Sequence, residues 1–359
     1  MSDFYRLTVT DIDRDTRDAT IVSLRPTDQD RAAFKFNAGQ YLTFRRDFDG
    51  EEARRSYSIC VQEGADALRV GVKKVAGGLF STYVNEKLNV GDTLEAMAPA
   101  GKFGELDVAV GQPHYLCVSA GSGITPVLSI IKTRLEAEPD ARVTLVYGNR
   151  SSASIMFREV LEDLKNQYLG RLNMVHVLSR EQQEIDLFNG RIDQDKCAQL
   201  FKHWVSVEHL TGAFVCGPLG MMEAVREALR TAGVANEKIR LELFAADEGA
   251  ARQRAAEREV NAKDDAPAHT AQISINGLTT SIEVQSQTET ILDAGLRAGL
   301  ELPFSCKGGV CSTCMAKLME GEVEMDANYA LEDYELARGY ILCCQSYPVT
   351  ERVVVDYDQ

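Results

Sequence analysis

Three cysteines fall within nine residues in Cys306-Lys307-Gly308-Gly309-Val310-Cys311-Ser312-Thr313-Cys314, and the pair Cys343-Cys344 follows. The spacing C-x4-C-x2-C with a distant fourth cysteine is that of a 2Fe-2S cluster, where each of two iron atoms takes two thiolates besides the bridging sulfides. Gly308 and Gly309 suit a loop that wraps tightly and turns its N–H groups toward anionic sulfur. Zinc also accepts four cysteines, but usually from two short C-x2-C knuckles, and only one short pair is present. Tyr340-Ile341-Leu342-Cys343-Cys344-Gln345 reads as a strand entering the site. Its two cysteines would then point to opposite faces, and only one of them can ligate.

Other stretches offer chemistry of a different kind. In Arg54-Arg55-Ser56-Tyr57-Ser58-Ile59-Cys60 an arginine, an aromatic ring and hydroxyls alternate, enough to hold a phosphate, stack a flat ring and bond its rim. The same pattern also describes an ordinary amphipathic strand. Gly77-Gly78-Leu79-Phe80-Ser81-Thr82 precedes a helix over Thr82–Leu88, and glycines opening a helix form a phosphate site. Further on, Ala120-Gly121-Ser122-Gly123-Ile124-Thr125-Pro126 is a G-x-G-x-x-P turn between a strand and a helix that Pro126 opens. It is a variant of the dinucleotide loop with three glycines. Two later strands end in Tyr147-Gly148-Asn149-Arg150 and Leu178-Ser179-Arg180-Glu181. Neither offers a carboxylate immediately at its tip for a ribose hydroxyl, whereas arginine suits a 2′-phosphate, so NADPH is favoured over NADH. Cys216-Gly217-Pro218-Leu219-Gly220-Met221-Met222 is again strand, turn and helix.

The elements that must position these groups fall into segments. At 359 residues the chain exceeds one ordinary domain. Residues 1–105 read as short strands broken by turns, a small antiparallel barrel. Over 106–245 strand and helix alternate, which is a doubly wound parallel sheet. Residues 246–270 are charged and alanine-rich with little to bury and read as a linker, helical in part over Ala250–Val260. Residues 271–359 open with a hairpin turned at Asn276-Gly277 and a helix at Thr290–Ala298.

Composition narrows the function. The net charge is −15, and 271–359 hold 14 acidic and 5 basic residues, or −9, leaving −6 for the rest. Nucleic-acid binding is disfavoured, and no apolar run reaches the ~18 residues of a membrane span. Nine cysteines, an odd number concentrated in one motif, point to metal chemistry in a reducing compartment, the cytoplasm, and not to disulfides.

Taken in order, the stacking strand, diphosphate turn, nicotinamide sheet and cysteine loop resemble the ferredoxin–NADP reductase superfamily with a C-terminal plant-type 2Fe-2S ferredoxin domain. The resemblance implies FAD, NADPH and a 2Fe-2S cluster in a flavin barrel, an α/β nicotinamide domain and an α+β β-grasp domain. It implies that Arg55, Ser56, Tyr57 and Ser58 hold the flavin, with Ser58 near its reactive nitrogen. Gly77, Gly78 and Ser81 would complete the phosphate contacts. Gly121, Gly123, Thr125, Pro126, Arg150, Ser179 and Arg180 would hold the nicotinamide coenzyme, and Cys216, Gly217 and Pro218 would place its ring. The 29 residues between Cys314 and Cys344 match the plant-ferredoxin gap, so the resemblance assigns Cys306, Cys311, Cys314 and Cys344 as ligands and Cys343 as packing.

Among reductases of this layout the chain resembles the reductase components of phenylacetyl-CoA epoxidases. Segments that carry the likeness include Lys73-Lys74-Val75-Ala76-Gly77-Gly78, Gly190-Arg191-Ile192-Asp193 and Asn328-Tyr329-Ala330-Leu331. That resemblance implies single-electron delivery to the oxygenase components of a multisubunit diiron epoxidase in phenylacetate catabolism. The alternatives are the reductase of another ring oxygenase, such as 3-ketosteroid 9α-hydroxylase, or an electron carrier that does not use a nicotinamide.

Overall fold

The computed structural model describes residues 4–106, 111–244, 258, 268–285 and 288–359. It divides into two compact units, one spanning Phe4–Glu242 and the other Leu243–Gln359.

The first unit begins with β1 (Tyr5–Thr16), β2 (Ala19–Pro26), β3 (Tyr41–Phe48), β4 (Glu51–Ser58), β5 (Leu68–Lys73) and β6 (Thr93–Ala96). They form one antiparallel sheet in the order β4-β3-β6-β1-β2-β5. A bridge between Ile59 and Val70 joins its two edges, so the sheet closes on itself as the expected barrel. Register shifts in β1, between Val9 and Asp11 and between Asp13 and Thr16, allow the long strand to curl. Alternation drives the closure: Leu7, Val9, Val22, Leu24, Leu42 and Phe44 turn into one buried core. Helix α1 (Leu79–Glu86) adds Phe80 and Val84 to that core. It begins three residues before the expected Thr82, because Gly78 already serves as its N-cap.

The same unit continues with β7 (His114–Ala120), α2 (Ile124–Ala137), β8 (Arg142–Asn149), α3 (Arg158–Gln167), β9 (Leu172–Leu178), α4 (Gln194–His203), β10 (Gly212–Cys216), α5 (Leu219–Thr231) and β11 (Ile239–Glu242). The strands are parallel in the order β11-β10-β7-β8-β9. The order reverses beside β7, so the carboxyl ends of β7 and β10 flank a switch point, where such sheets bind ligands. Pro126 does not open α2. The helix starts at Ile124 and Pro126 is its third residue, still in the first turn, where a missing N–H costs nothing. Pro218 stands just outside α5 as its N-cap.

Barrel and parallel sheet are bonded together. Both oxygens of Asp15 accept from the Phe157 N–H at 3.0 Å, and Ser129 Oγ donates to the Val61 carbonyl at 2.6 Å. The Glu63 N–H donates to Thr133 Oγ1 at 3.1 Å. At Gly71 in β5 a Cβ would lie 2.8 Å from the Thr125 methyl, so only glycine admits this approach.

The second unit contains β12 (His269–Ile275), β13 (Leu278–Val284), α6 (Ile291–Arg297), β14 (Met315–Glu320), β15 (Val323–Met325), α7 (Asp333–Ala337), β16 (Tyr340–Leu342), β17 (Ser346–Pro348) and β18 (Arg352–Asp356). A mixed sheet of order β13-β12-β18-β14-β16 is covered by α6, with Ile273, Ile291, Leu292, Val353 and Val355 between them. Asn276 and Gly277 turn the hairpin with φ of 53° and 72°, as a tight two-residue turn requires. Arg258 is held in this unit by Asp326 and by the Tyr347 ring, 3.8 Å from its guanidinium. Of the linker expected over 246–270 and its helix expected over Ala250–Val260, only Arg258, which is helical, and residues 268–270 are described, and His269 and Thr270 already belong to β12. Among the described residues no helix is long and apolar enough to cross a membrane.

Candidate functional site

The cysteine loop brings four thiols together. Cys306 lies against Cys311 and Cys344, and Cys344 against Cys314. The order Cys311–Cys306–Cys344–Cys314 therefore runs as two neighbouring pairs. The Gly308 N–H donates to Cys306 Sγ at 3.3 Å. The neighbouring thiols of Cys311 and Cys344, with the N–H groups of Gly308 and Val310, pull the Cys306 thiol far down. Hydrogen bonding to Cys306 pushes the Cys311 thiol up and hydrogen bonding to Cys306 and Cys314 pushes the Cys344 thiol up, with burial and charge repulsion adding to both. Four such thiolates coexist only around positive charge, which two irons would supply. Gly309, at φ 75°, fits only as glycine, since a Cβ would meet the Ala327 carbonyl oxygen at 2.7 Å. The expected strand stops at Leu342, and Cys343 and Cys344 occupy a turn closed by Gln345 N–H to the Leu342 carbonyl. Cys343 is fully buried and takes no place in the chain of four.

On the barrel, β4 places Arg55 and Tyr57 on one face and Ser56 and Ser58 on the other. Tyr57 packs with Phe44 and Phe80 at ring separations of 6.1 and 5.7 Å, an aromatic platform. Arg55 is exposed, and Ser56 shares a 3.0 Å hydrogen bond with Thr43. Gly77 has φ 75° and nothing within 4 Å of where a Cβ would sit, leaving open space before α1. The first N–H groups of α1 face no carbonyl of their own helix. The buried Ser81 hydroxyl accepts from the Val75 N–H at 3.1 Å and pins the turn at Gly78.

The turn after β7 is similarly shaped. Gly121 has φ 55° and open space around its Cβ position, whereas a Cβ on Gly123 would lie 2.2 Å from the Cys216 carbonyl oxygen. Gly217 is tight for the same reason, 2.5 Å from Met221 and 3.3 Å from Ala120. Thr125 and Pro126 are buried in the first turn of α2, and the Thr125 hydroxyl donates to the Ser122 carbonyl at 3.0 Å. At the tips of β8 and β9, Arg150, Ser179 and Arg180 are exposed and adjacent, with Arg180 N–H bonded to the Arg150 carbonyl at 2.8 Å. A carboxylate stands next in the chain, three residues past the end of β9. Glu181 accepts from the Ser152 N–H at 2.8 Å and from its hydroxyl at 2.9 Å, contacts that hold its carboxyl below the usual range.

Two further residues went unnoticed in the sequence. Glu242 ends β11 opposite Cys216, in register, and bonds Ser58 of the barrel. Burial pushes its carboxyl up to about 8, partly offset by Ser58, and its Oε2 has no hydrogen-bond partner among the described residues. Ser119, in register with Cys216 on the other side, is fully buried, and its hydroxyl too has no hydrogen-bond partner among the described residues. An acidic residue at the carboxyl end of the last parallel strand was the available signal. The row Ser119–Cys216–Glu242 thus lines one face of the sheet at the switch point, with Ser58 against Glu242. A groove of about 650 Å³ that includes Arg142, Lys165 and Trp204 lies at the opposite, amino end of the strands and shares none of these residues.

The comparisons agree with this geometry. Residues 6–104 match the oxidoreductase FAD-binding domain, 117–227 the oxidoreductase NAD-binding domain and 273–349 the 2Fe-2S iron-sulfur cluster binding domain. Together they define a flavin- and iron–sulfur-dependent electron-transfer oxidoreductase. The chain belongs to the ferredoxin–NADP reductase superfamily, among the reductase components of oxygenases that carry a C-terminal 2Fe-2S domain. It is 42% identical to a component of the 1,2-phenylacetyl-CoA epoxidase of Escherichia coli (strain K12), over 100% of this chain and 99% of that protein. It is 33% identical to the 3-ketosteroid-9-alpha-monooxygenase, ferredoxin reductase component, of Rhodococcus rhodochrous, over 98% of this chain and 96% of that one. Phthalate dioxygenase reductase shares the fold with a TM-score of 0.60 at 21% identity, covering 98% of both chains.

Proposed function

We propose that this chain is the NADPH-dependent reductase of a phenylacetyl-CoA-epoxidising diiron oxygenase, acting in the cytoplasm on behalf of that multisubunit partner. The observation that carries the electron-entry site is the junction of Ser58 from the barrel with Cys216 and Glu242 from the parallel sheet. When bound, FAD takes the two electrons of a hydride and gives them up singly, and a 2Fe-2S cluster carries one at a time. The protein orients, and its residues need no covalent step. Tyr57 and the Phe80 platform would bear the flavin ring, Arg55 its diphosphate, and the open turns at Gly77–Gly78 and Gly121–Gly123 the phosphates. Buried Cys216 and partly buried Glu242 would flank the meeting point of the two rings. Arg150, Ser179 and Arg180 form a cationic, hydroxyl-bearing rim suited to a 2′-phosphate, which supports NADPH. Cys306, Cys311, Cys314 and Cys344 would hold the cluster.

Full-length similarity to the epoxidase component supports the choice of partner, and similarity to the ketosteroid reductase component keeps a steroid hydroxylase as the second reading. The test is NADPH consumption by the purified protein mixed with phenylacetyl-CoA epoxidase oxygenase, with and without phenylacetyl-CoA, together with an assay for epoxide. Substrate-dependent consumption matched by product is expected. Rapid reduction of cytochrome or dye without coupled turnover would discard this partner and bring the steroid oxygenase forward.

A further inference from the structure

Tyr147, near the carboxyl end of β8, is among the largest fully buried side chains of the chain, and neither motif nor domain match gives it a role. It is in register with Ser119 of β7, so it extends the row Ser119–Cys216–Glu242 by one strand on the same face. Its ring packs in the core that holds Leu145, Met156 and Phe157. Its hydroxyl reaches out of that core and donates to the Gly121 carbonyl at 2.8 Å. The far end of this bond is the informative one. Gly121 has φ 55° and no atom within 4 Å of where a Cβ would sit, so restraint on this residue comes through its backbone. Its carbonyl accepts from the Tyr147 hydroxyl and from the Ile124 N–H. The Gly121–Ser122 peptide is trans, so the carbonyl and the N–H that follows it point in opposite directions. Drawing the Gly121 carbonyl onto the core therefore turns the Ser122 N–H the other way, out of the core.

We propose that Tyr147 is a positioning residue for the diphosphate of the nicotinamide coenzyme: its hydroxyl fixes the Gly121–Ser122 peptide so that the Ser122 N–H is presented before the phosphate arrives. The proposal rests on the reading of the Gly121–Gly123 turn as a phosphate site. Tyr147 itself stays in the core and touches no coenzyme. A glycine turn left free would have to be ordered at the moment of binding, and a turn ordered in advance avoids that cost. The phosphates are remote from the transferred hydride and bind alike before and during the transfer. The effect of Tyr147 therefore falls on affinity and not on the limiting rate.

The experiment is stopped-flow reduction of the flavin in the full-length holoprotein, wild type against Tyr147→Phe, which keeps the ring and removes only the hydroxyl. Two hydride donors are compared: NADPH, or NADH should the wild type prefer it, and reduced nicotinamide riboside, which carries no phosphate. With the coenzyme, the concentration giving half the limiting rate should rise about three- to tenfold in Tyr147→Phe, the worth of one hydrogen bond, while the limiting rate is kept. With the riboside the two proteins should agree. Unchanged affinity for the coenzyme overturns the proposal. So does an equal loss with both donors, which a merely structural role of the hydroxyl would give. Should Tyr147→Phe fail to retain FAD, Tyr147→His takes its place and must show the same split between the two donors. A wild-type flavin that the riboside reduces but neither NADPH nor NADH does overturns the coenzyme reading itself, an outcome distinct from a wild type and variant of equal affinity.

Discussion

Cys216 and Glu242 are register partners on adjacent parallel strands, and the barrel residue Ser58 bonds the carboxyl of Glu242. A thiol and an acid that burial keeps protonated at neutral pH thus share one end of the sheet. On the proposed reading, no formal charge need face the nicotinamide ring there.

The Glu242 carboxyl sits at about 8 when folded, against 4.5 as its ordinary value. Its contribution to stability is therefore fully present below pH 4.5 and is lost as pH rises through 8. Melts of the FAD-loaded protein, followed by flavin fluorescence between about pH 5 and 9, should show the midpoint falling over that window. Glu242→Gln should flatten the fall by about 2–4 °C per kcal/mol recovered.

Gly123 and Gly121 predict opposite kinds of damage. Gly123→Ala drives a methyl into the Cys216 carbonyl, 2.2 Å away, and should cost about 1–3 kcal/mol with a matching loss in the rate of flavin reduction. Gly121→Ala meets no atom and bears only the strain of φ 55°, about 1 kcal/mol. Urea melts and stopped-flow reduction by NADPH separate the two.

Arg180→Ala should raise the KM for NADPH about tenfold or more, the worth of a charge-assisted hydrogen bond, and leave NADH unaffected. Glu181→Gln removes the carboxylate that reaches this rim and should improve NADPH use slightly. Steady-state kinetics with both coenzymes read each effect. An equal loss for NADH in Arg180→Ala would move the 2′-phosphate contact elsewhere.

Cys344→Ser should abolish the visible absorption of the cluster and most of its iron, whereas Cys343→Ser should keep both. Iron content per protein decides it.

Arg258→Ala should destabilise the Leu243–Gln359 unit by about 1–3 kcal/mol, since it breaks the pair with Asp326 and uncovers the Tyr347 face. The loss of cluster absorbance on heating reports that unit.

The barrel, the parallel sheet and the cysteine loop were legible because alternation, strand–turn–helix punctuation and ligand spacing are local. Glu242 was not, because a glutamate in Ile239–Glu242 reads as a solvated strand residue until register sets it beside Cys216 and the barrel covers it. Cys343 and Cys344 read as strand by their apolar lead-in, yet the site needs both chain directions there and the backbone turns instead. The local hydrogen bonds of the Ser81 and Thr125 hydroxyls, to the Val75 N–H and the Ser122 carbonyl, could not be read from the sequence because they depend on the fold of each turn.

The bonds from Asp15 to Phe157 and from Ser129 to Val61, with the close approach at Gly71, bear on how this reductase can be rebuilt. A chimera that exchanges coenzyme preference by grafting only the parallel sheet would import unmatched donors and a missing glycine at the seam. The smallest portable piece is the span Phe4–Glu242, and a transplant should cut at its ends.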